Sequence, residues 1–309
     1  MTSGIESAQR TAAYHASKGT EQRPNEHTAR LRHRKDSRWL LPLAFLLYVG
    51  SAVVRFGHPT FDPRLATALG GLGLCLPVLA LVWFRLGSRL PWRVALERWT
   101  RAGWPTDRLL RFAVAWAILP LFFWAFAAWK TAIPPFTWDA RLAALDFPHP
   151  YVSLATLARL DGIYWSWNYV LVGLMLWKAW SRDDRFWWAF LGMWVGLGTG
   201  LAHLVPSAGP IFTDPTVPVT PDLAWTRDYL WSAVSRGEIV LGGGISAFPS
   251  LHVAVPVLGA CASRGVLRWA FVGFAGVIWV SSVALGFHYW VDGLASIVLV
   301  PGIWWLARG

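Results

Sequence analysis

Charged residues are scarce in this sequence: Asp, Glu, Lys and Arg make up 15% of its 309 residues, against about 25% in an average soluble chain. Apolar residues make up 55%, and the chain contains 23 tryptophans, whose side chains favour membrane–water interfaces. A soluble domain could not bury so much apolar surface. The composition therefore excludes an ordinary soluble protein and predicts one that crosses a membrane several times.

Cysteine is also nearly absent. The two cysteines, Cys75 and Cys261, both lie inside apolar runs, which indicates neither a disulfide framework nor a cysteine-based metal site. The sequence also lacks methionine-rich stretches and the Cys-x-x-Cys-His motif of haem attachment. We therefore expect no metal and no cofactor.

The positive charge is concentrated in the tail before Trp39 and in the stretch 85–111, within a net charge of +11. A strongly basic chain can bind nucleic acid. Here, however, the basic clusters flank apolar segments, where Lys and Arg set membrane topology. We therefore predict a membrane, and not nucleic acid, as the partner; nothing in the sequence indicates an oligomeric state.

Eight apolar segments follow the tail, each near the roughly 20 residues that cross the hydrocarbon core of a bilayer. This pattern predicts an all-α fold, a polytopic membrane helix bundle with about eight transmembrane helices. The tail (1–38) is expected to be disordered and cytoplasmic, 39–109 to hold two extra transmembrane helices and a loop, and 110–309 to form a six-helix core. The segments lie at 39–56, 67–84, 110–129, 163–180, 186–205, 248–263, 269–287 and 289–307.

The distribution of Lys and Arg predicts the orientation of these segments. The loops after segments two, four and six carry more of these residues for their length than the alternate loops do, which places both termini in the cytoplasm. The long loops 130–162 and 206–247 then face outward. Residues 140–145 of the first loop predict a short amphipathic helix in the outer interface, with Asp139 and Asp146 beside it as helix caps or solvated groups.

Three of the eight histidines, His203, His252 and His288, fall near the outer ends of segments five, six and eight. Histidines gathered at one membrane face suggest a metal or haem site, or phosphoryl chemistry. The surroundings of His252 favour phosphoryl chemistry, because Pro249 is suited to the first position of a helix. Free backbone N–H groups and the helix dipole at such a terminus bind anions.

Further groups near His252 extend this predicted anion site. The Ser250 hydroxyl could donate another hydrogen bond, and the glycine run ending in Gly244 permits close approach of the backbone to a ligand. His288 and Asp292 are four residues apart and share one helix face. A carboxylate beside an imidazole fixes its tautomer and leaves the other nitrogen available as nucleophile or base. The alternative for Asp292 is a structural role at the positive end of the helix dipole.

Two of these motifs carry a family resemblance. FPSLH at 248–252 and GFHYWVD at 286–292 resemble the signatures of the type 2 phosphatidic acid phosphatase superfamily, and most of all its inositol phosphorylceramide synthase-like branch. That branch has proline-serine-leucine-histidine where the phosphatases usually have proline-serine-glycine-histidine. HLVPSAGP at 203–210 is similar to the branch's first signature. The resemblance covers about 110–307.

The resemblance implies an integral enzyme of the cell membrane that cleaves or transfers the phosphoryl head-group of a phospholipid or other lipid phosphate, as an inositolphosphotransferase of sphingolipid metabolism does. It implies that His288 is the nucleophile that forms a phosphohistidine, that Asp292 orients it and that His252 is the general acid. Ser250 would bind the phosphate. Apart from the resemblance, His203 is a further candidate for a phosphate contact. The active site would face outward.

The sequence departs from the superfamily pattern in its cations. No Lys/Arg pair of the first signature occurs near Pro206, and Ser282 stands where the phosphatases have an arginine. We therefore expect Arg227 or Arg236, both in the loop before the glycine run, to bind the phosphate. Arg236 is preferred because Gly237 could let the chain turn back over the site.

Three alternatives remain open. A phosphatase acting on phosphatidic acid or a polyprenyl phosphate shares every catalytic residue with a phosphotransferase, and loop 206–247 would decide whether water or an alcohol completes the reaction. A non-enzymatic lipid-transport protein would not need His252, His288 and Asp292. A bis-histidine haem protein would show itself in its absorption spectrum.

Overall fold

The computed structural model describes residues 40–57, 91, 93–94, 97, 106–147, 152–181, 183–240 and 242–308. The regular structure in these ranges is helical, with no strand, which confirms the all-α class. The chain divides into two compact units, Met1–Ala44 and Phe45–Gly309. In the first unit, only the start of one helix is described.

The helices begin and end as follows: α1 Leu40–Phe56, α2 Thr106–Thr131, α3 Asp139–Ala144, α4 Leu154–Trp165, α5 Trp167–Ser181, α6 Asp184–Leu191, α7 Pro210–Thr213, α8 Pro221–Ser235, α9 Leu251–Cys261, α10 Gly265–Ala284 and α11 Trp290–Leu306. After α6 the chain continues as a wider π-helical stretch, Gly192–Leu201, and a final α-helical turn, Ala202–Leu204. The predicted tail, the second predicted segment and most of the arginine-rich stretch lie outside the described residues.

Polar residues set the starts of several helices. The side chains of Ser153, Asp183 and Thr220 each accept a hydrogen bond from the backbone N–H three residues later, at 3.2, 3.0 and 3.3 Å. These bonds satisfy N–H groups that lack a partner inside the helix, and such a cap contributes about 1 kcal/mol. Pro221 occupies the first helical position after Thr220, where a missing N–H costs nothing.

Among the described helices, α10 is long and apolar enough, by length and composition, to cross a membrane. Shorter apolar helical stretches are Leu40–Phe56, Ala117–Thr131, Leu251–Cys261 and Trp290–Leu306. They coincide broadly with predicted segments one, three, six and eight. The eight-span topology itself stays a prediction.

The fourth predicted segment, 163–180, does not form one helix. The chain turns at Ser166, whose hydroxyl donates to the carbonyl oxygen of Ile163 at 2.6 Å, and α4 and α5 lie on either side. The predicted outer loop 130–162 consequently contains α3 and most of α4. A search for long apolar runs passes over α4 because it is short and carries Arg159 and Asp161.

Helix α9 lies in the core and positions the site. It packs against α10, α11, α5 and the π-helical stretch, and Val253, Ala254 and Leu258 on α9 are buried. At its C-terminal end the buried Lys178 ammonium donates to the carbonyl oxygen of Ala262 at 2.8 Å and to the Asp183 carboxylate at 2.7 Å. This end of α9 is therefore anchored, and the opposite end presents His252.

Candidate functional site

A largely apolar cavity of about 720 Å³ begins beside the N-terminal end of α9 and follows α5 from Trp167 to Ala179. Twelve residues of helix correspond to about 18 Å at 1.5 Å per residue. The polar lining side chains include His252, His288 and Lys130. An apolar body with a few convergent polar groups suits an amphipathic ligand. Other lining residues include Leu119, Phe123, Phe126, Leu171, Met175, Trp194 and Gly244.

The buried His288 ring is held by two acceptors on one nitrogen. Its Nδ1 atom lies 2.8 Å from the carbonyl oxygen of Ala247 and 3.3 Å from Oδ2 of Asp292. A carbonyl oxygen can only accept a hydrogen bond, so Nδ1 carries the proton. In neutral His288, Nε2 is therefore unprotonated, and its lone pair is available as a nucleophile.

Asp292 has both of the roles that the sequence left open. Its Oδ2 atom accepts the backbone N–H of Tyr289 at 2.8 Å, which stabilises the first turn of α11, and the same atom contacts His288. The residue is fully buried, and its Oδ1 atom has no hydrogen-bond partner among the described residues. One carboxylate thus joins the start of the helix to the orientation of the imidazole.

His252 lies against two aromatic residues that the sequence interpretation did not select. Its ring centroid is 4.5 Å from that of Tyr164, in a stacked arrangement, and 4.4 Å from that of Trp167. The ring centroid of His288 is 5.9 Å away. At this separation, and with both imidazoles lining the same cavity, the two rings are close enough to contact one phosphoryl group. In the sequence, the one sign that Tyr164 and Trp167 act together is their three-residue spacing, and this spacing is also typical of ordinary core residues.

Ser250 is placed differently from the expectation. It is the N-cap residue of α9, which therefore begins at Leu251 rather than at Pro249. The hydroxyl oxygen accepts from the N–H of Val253 at 3.4 Å, and the backbone N–H donates to the carbonyl oxygen of Asp292 at 3.2 Å. Ser250 is fully buried and does not line the cavity, so this geometry gives it the task of joining α9 to α11.

The two arginines predicted to bind phosphate do not line the cavity. Arg227 donates to Asp228 at 2.9 Å, and the exposed Arg236 pairs with Glu238 through two hydrogen bonds of 2.6 and 2.9 Å. The guanidinium of Arg236 holds the pKa of Glu238 below its usual range. The expectation that Arg236 folds over the site does not agree with this geometry, because a carboxylate two residues away captures the side chain.

His203 is the one histidine of the predicted three that lies outside the cavity. Its Nδ1 atom donates to the carbonyl oxygen of Thr199 at 2.7 Å, and its ring packs near Trp129, with centroids 6.0 Å apart. The structure therefore brings His252 and His288 together and leaves His203 in the helical packing.

Lys130, at the end of α2, was not among the predicted site residues. It lines the cavity with both histidines. Gly244 makes its position possible: this glycine has φ +78°, and a side chain there would collide with Cβ of Lys130. The glycine run thus lines the cavity, and Gly244 packs closely against a lysine; its role in binding phosphate stays a prediction. The sequence offered no separate signal, because a lysine at the end of an apolar segment is usually a topology residue.

Asp139 links two parts of the site instead of capping α3. Its carboxylate accepts hydrogen bonds from the backbone N–H groups of Ala208 and Gly209, the shortest at 2.9 and 2.8 Å, and from the hydroxyl of Tyr289 at 3.0 Å. Tyr289 follows His288 directly in the chain. The carboxylate therefore ties the 206–210 loop to the segment that carries His288.

Asp146 makes a similar link to Trp290, the residue that follows Tyr289. Its Oδ1 atom accepts the backbone N–H of Trp290 at 2.7 Å. Burial raises the pKa of the Asp146 carboxyl above its usual value, while the N–H donors act in the opposite direction. Both aspartates that the sequence assigned to capping or solvation thus contact the start of α11.

A family model described as "PAP2 superfamily" matches residues 136–306, which is more than half of the 309 residues. The matched range contains His252, His288 and Asp292, whereas Lys130 lies before it. A comparison with curated proteins found no significant match, and neither did a comparison with solved structures.

Proposed function

The chain belongs to the PAP2 superfamily, and we propose that it transfers the phosphoryl group of a membrane lipid through a covalent phosphohistidine on His288. Membership of this family supports a lipid enzyme of the phosphatase or phosphotransferase type. The observation that carries the mechanism is the contact of 2.8 Å between Nδ1 of His288 and the carbonyl oxygen of Ala247. It keeps the proton on Nδ1 and so leaves the Nε2 lone pair free to act as a nucleophile.

In the first step, Nε2 of His288 attacks the phosphorus atom, and a P–N bond forms while the bond from phosphorus to the leaving oxygen breaks. Protonated His252 donates its proton to that oxygen, which leaves as an alcohol. The imidazole of His288 becomes positively charged as the P–N bond forms. The carboxylate of Asp292, 3.3 Å from Nδ1, stabilises this charge.

In the second step, water or an acceptor alcohol attacks the phosphohistidine. His252 now takes a proton from the attacking hydroxyl, the P–N bond breaks, and His288 returns to its starting form. Water as the acceptor gives a phosphatase, and an alcohol gives a phosphotransferase. The likeness of FPSLH to the synthase-like branch supports a transferase of the inositolphosphotransferase kind, with hydrolysis of phosphatidic acid or a polyprenyl phosphate as the alternative.

The shape of the cavity supports a lipid substrate. Its polar groups lie near Trp167, at the start of α5, and apolar side chains line the remaining length to Ala179. A phosphate at the histidines would leave an acyl or prenyl chain along this apolar stretch, where burial contributes about 0.8 kcal/mol per CH₂ group. A lipid-transport protein without catalysis would use the same stretch but would gain nothing from the orientation of His288.

We also propose that the protein is multi-pass in the cell membrane, with both termini cytoplasmic and the site facing outward, as the distribution of Lys and Arg indicates. Ser235, which is exposed in the 206–247 segment, offers a position for a single labelling cysteine in a variant without Cys75 and Cys261. Reaction of Ser235→Cys with a membrane-impermeant maleimide in intact cells is expected. Reaction only after lysis would contradict the orientation.

The chemistry is tested by supplying the purified protein in detergent micelles with phospholipids labelled in the phosphoryl group, with and without inositol or another alcohol. Wild-type protein should acquire acid-labile, base-stable phosphate and release labelled phosphate or a new labelled head-group product. His288→Ala should do neither, whereas the control His203→Ala should retain phosphorylation, because His203 lies outside the cavity. Acid-labile phosphate on the His288→Ala protein would contradict the assignment.

A further inference from the structure

The transfer of a phosphoryl group needs positive charge that the sequence interpretation did not locate. Negative charge spreads over the equatorial oxygens in the transition state, and electrostatic stabilisation is usually the largest catalytic contribution. Ser282, at the position of the phosphatase arginine, is fully buried and donates to the carbonyl oxygen of Trp279 at 2.8 Å. Arg227 and Arg236 are paired outside the cavity.

Lys130 is the lysine that lines the cavity together with His252 and His288. Its Nζ atom lies 5.6 Å from the ring centroid of Phe126, one turn back along α2 and itself a lining residue. The side chain therefore bends along the cavity wall. Lys130 forms no salt bridge with any residue in the described part of the chain.

The position of Lys130 at the C-terminal end of α2 suggests a simpler role, because a cation there interacts favourably with the helix dipole. That role would be satisfied by a side chain extended into solvent, and it needs neither the cavity nor Gly244. Instead, the close packing of Gly244 on Cβ of Lys130 holds the aliphatic part of the lysine side chain between the glycine run and the cavity. An ammonium group without a carboxylate partner in an apolar cavity gains most from an anionic ligand.

We propose that Lys130 is a catalytic residue that binds the phosphoryl oxygens of the substrate between His252 and His288 and replaces the arginine that Ser282 displaces. This inference rests on the proposed function for its reaction, but the binding of the anion can be measured separately. The lysine reaches the site from α2, before the first residue matched by the family model.

The experiment measures the affinity of purified wild-type protein and variants for inorganic orthovanadate by isothermal titration calorimetry, and turnover with labelled phospholipid. Lys130→Met keeps the length of the apolar stem and removes the charge, and Lys130→Arg keeps a charge. Arg159→Ala is the matched control, because Arg159 is exposed on α4 and outside the cavity. Thermal unfolding verifies that each variant is folded.

Lys130→Met should bind orthovanadate at least tenfold more weakly and lower kcat about 10²–10³-fold, the range for loss of one transition-state donor. Lys130→Arg should restore part of both, and Arg159→Ala should match wild type. Wild-type affinity for orthovanadate in Lys130→Met, or no binding by the wild-type protein, would overturn the proposal. Loss of orthovanadate binding in Lys130→Met, with no phospholipid turned over by any form, would support the lysine site and refute the proposed reaction.

Discussion

Replacing Asp292 by Asn separates two tasks of this carboxylate, the orientation of His288 and the stabilisation of its charge. Orientation should survive, because the carbonyl oxygen of Ala247 holds Nδ1 at 2.8 Å independently of Asp292. The amide oxygen of the new Asn can also still accept the backbone N–H of Tyr289, which keeps the start of α11 intact. The variant therefore removes charge while the tautomer of His288 is retained.

The expected loss follows from the contact that remains. A hydrogen bond to a charged group contributes about 1.5–3 kcal/mol, and about 1.36 kcal/mol corresponds to a tenfold change in rate. Asp292→Asn should therefore slow phosphorylation of His288 by about 10- to 160-fold. In a serine protease triad, where the carboxylate alone sets the tautomer, the same replacement costs about 10⁴-fold.

The assay is rapid-quench measurement of acid-labile enzyme phosphate after mixing with labelled lipid, with thermal unfolding of the same preparations. Asp292→Ala serves as the comparison, because it also removes the acceptor for the Tyr289 N–H and should lower the unfolding temperature further. A rate for Asp292→Asn equal to wild type would show that the carboxylate does not stabilise the phosphorylated imidazole. A loss near 10⁴-fold would show that the Ala247 carbonyl does not hold the tautomer.

Three further variants test other parts of the site. His252→Ala should slow phosphorylation about 10²–10⁴-fold with a lipid alkoxide as leaving group and much less with a p-nitrophenyl phosphodiester; equal losses with both in single-turnover assays would exclude a general acid. Gly244→Ala should reduce orthovanadate affinity and unfolding free energy more than Gly237→Ala, since both glycines have positive φ but only Gly244 is crowded; equal effects in titration and chemical denaturation would refute this. Asp139→Ala should lower the free energy of unfolding by about 3 kcal/mol or more, because three donors lose their acceptor at about 1–3 kcal/mol each. The control Asp228→Ala breaks an exposed ion pair and should lower the free energy of unfolding by less than about 1 kcal/mol. An equal change in the two variants, measured by chemical denaturation, would contradict the proposed link through Asp139.

Local sequence patterns were enough to predict the helices that form from uninterrupted apolar runs. The ends of the predicted apolar runs for α1, α10 and α11 lie within four residues of the helix ends in the structure. Helix α4 was missed because its Arg159 and Asp161 interrupt the apolar run. Its start depended on a local feature, the Ser153 cap, that a search for membrane segments does not consider.

Within the candidate site, too, features that depend on local spacing could be predicted and features that depend on distant residues could not. His288 and Asp292 could be paired from the sequence because four residues on a helix bring two side chains to one face, and His252 followed from its place beside a predicted helix start. The tautomer of His288 could not be predicted, because it depends on the carbonyl oxygen of Ala247, 41 residues away in the chain.

Arg236 and Lys130 show that separation along the chain does not predict which cation lies at the cavity. Arg236 is near the glycine run in the chain but pairs with Glu238, whereas Lys130 is more than a hundred residues from Gly244 and packs against it. Composition and periodicity determined the helical class, which follows from the cost of exposing apolar surface. The four-residue spacing of His288 and Asp292 determined that they share a helix face. The tertiary structure alone decided that Lys130 is the cation that lines the cavity, because this depends on how α2 and the glycine run pack together.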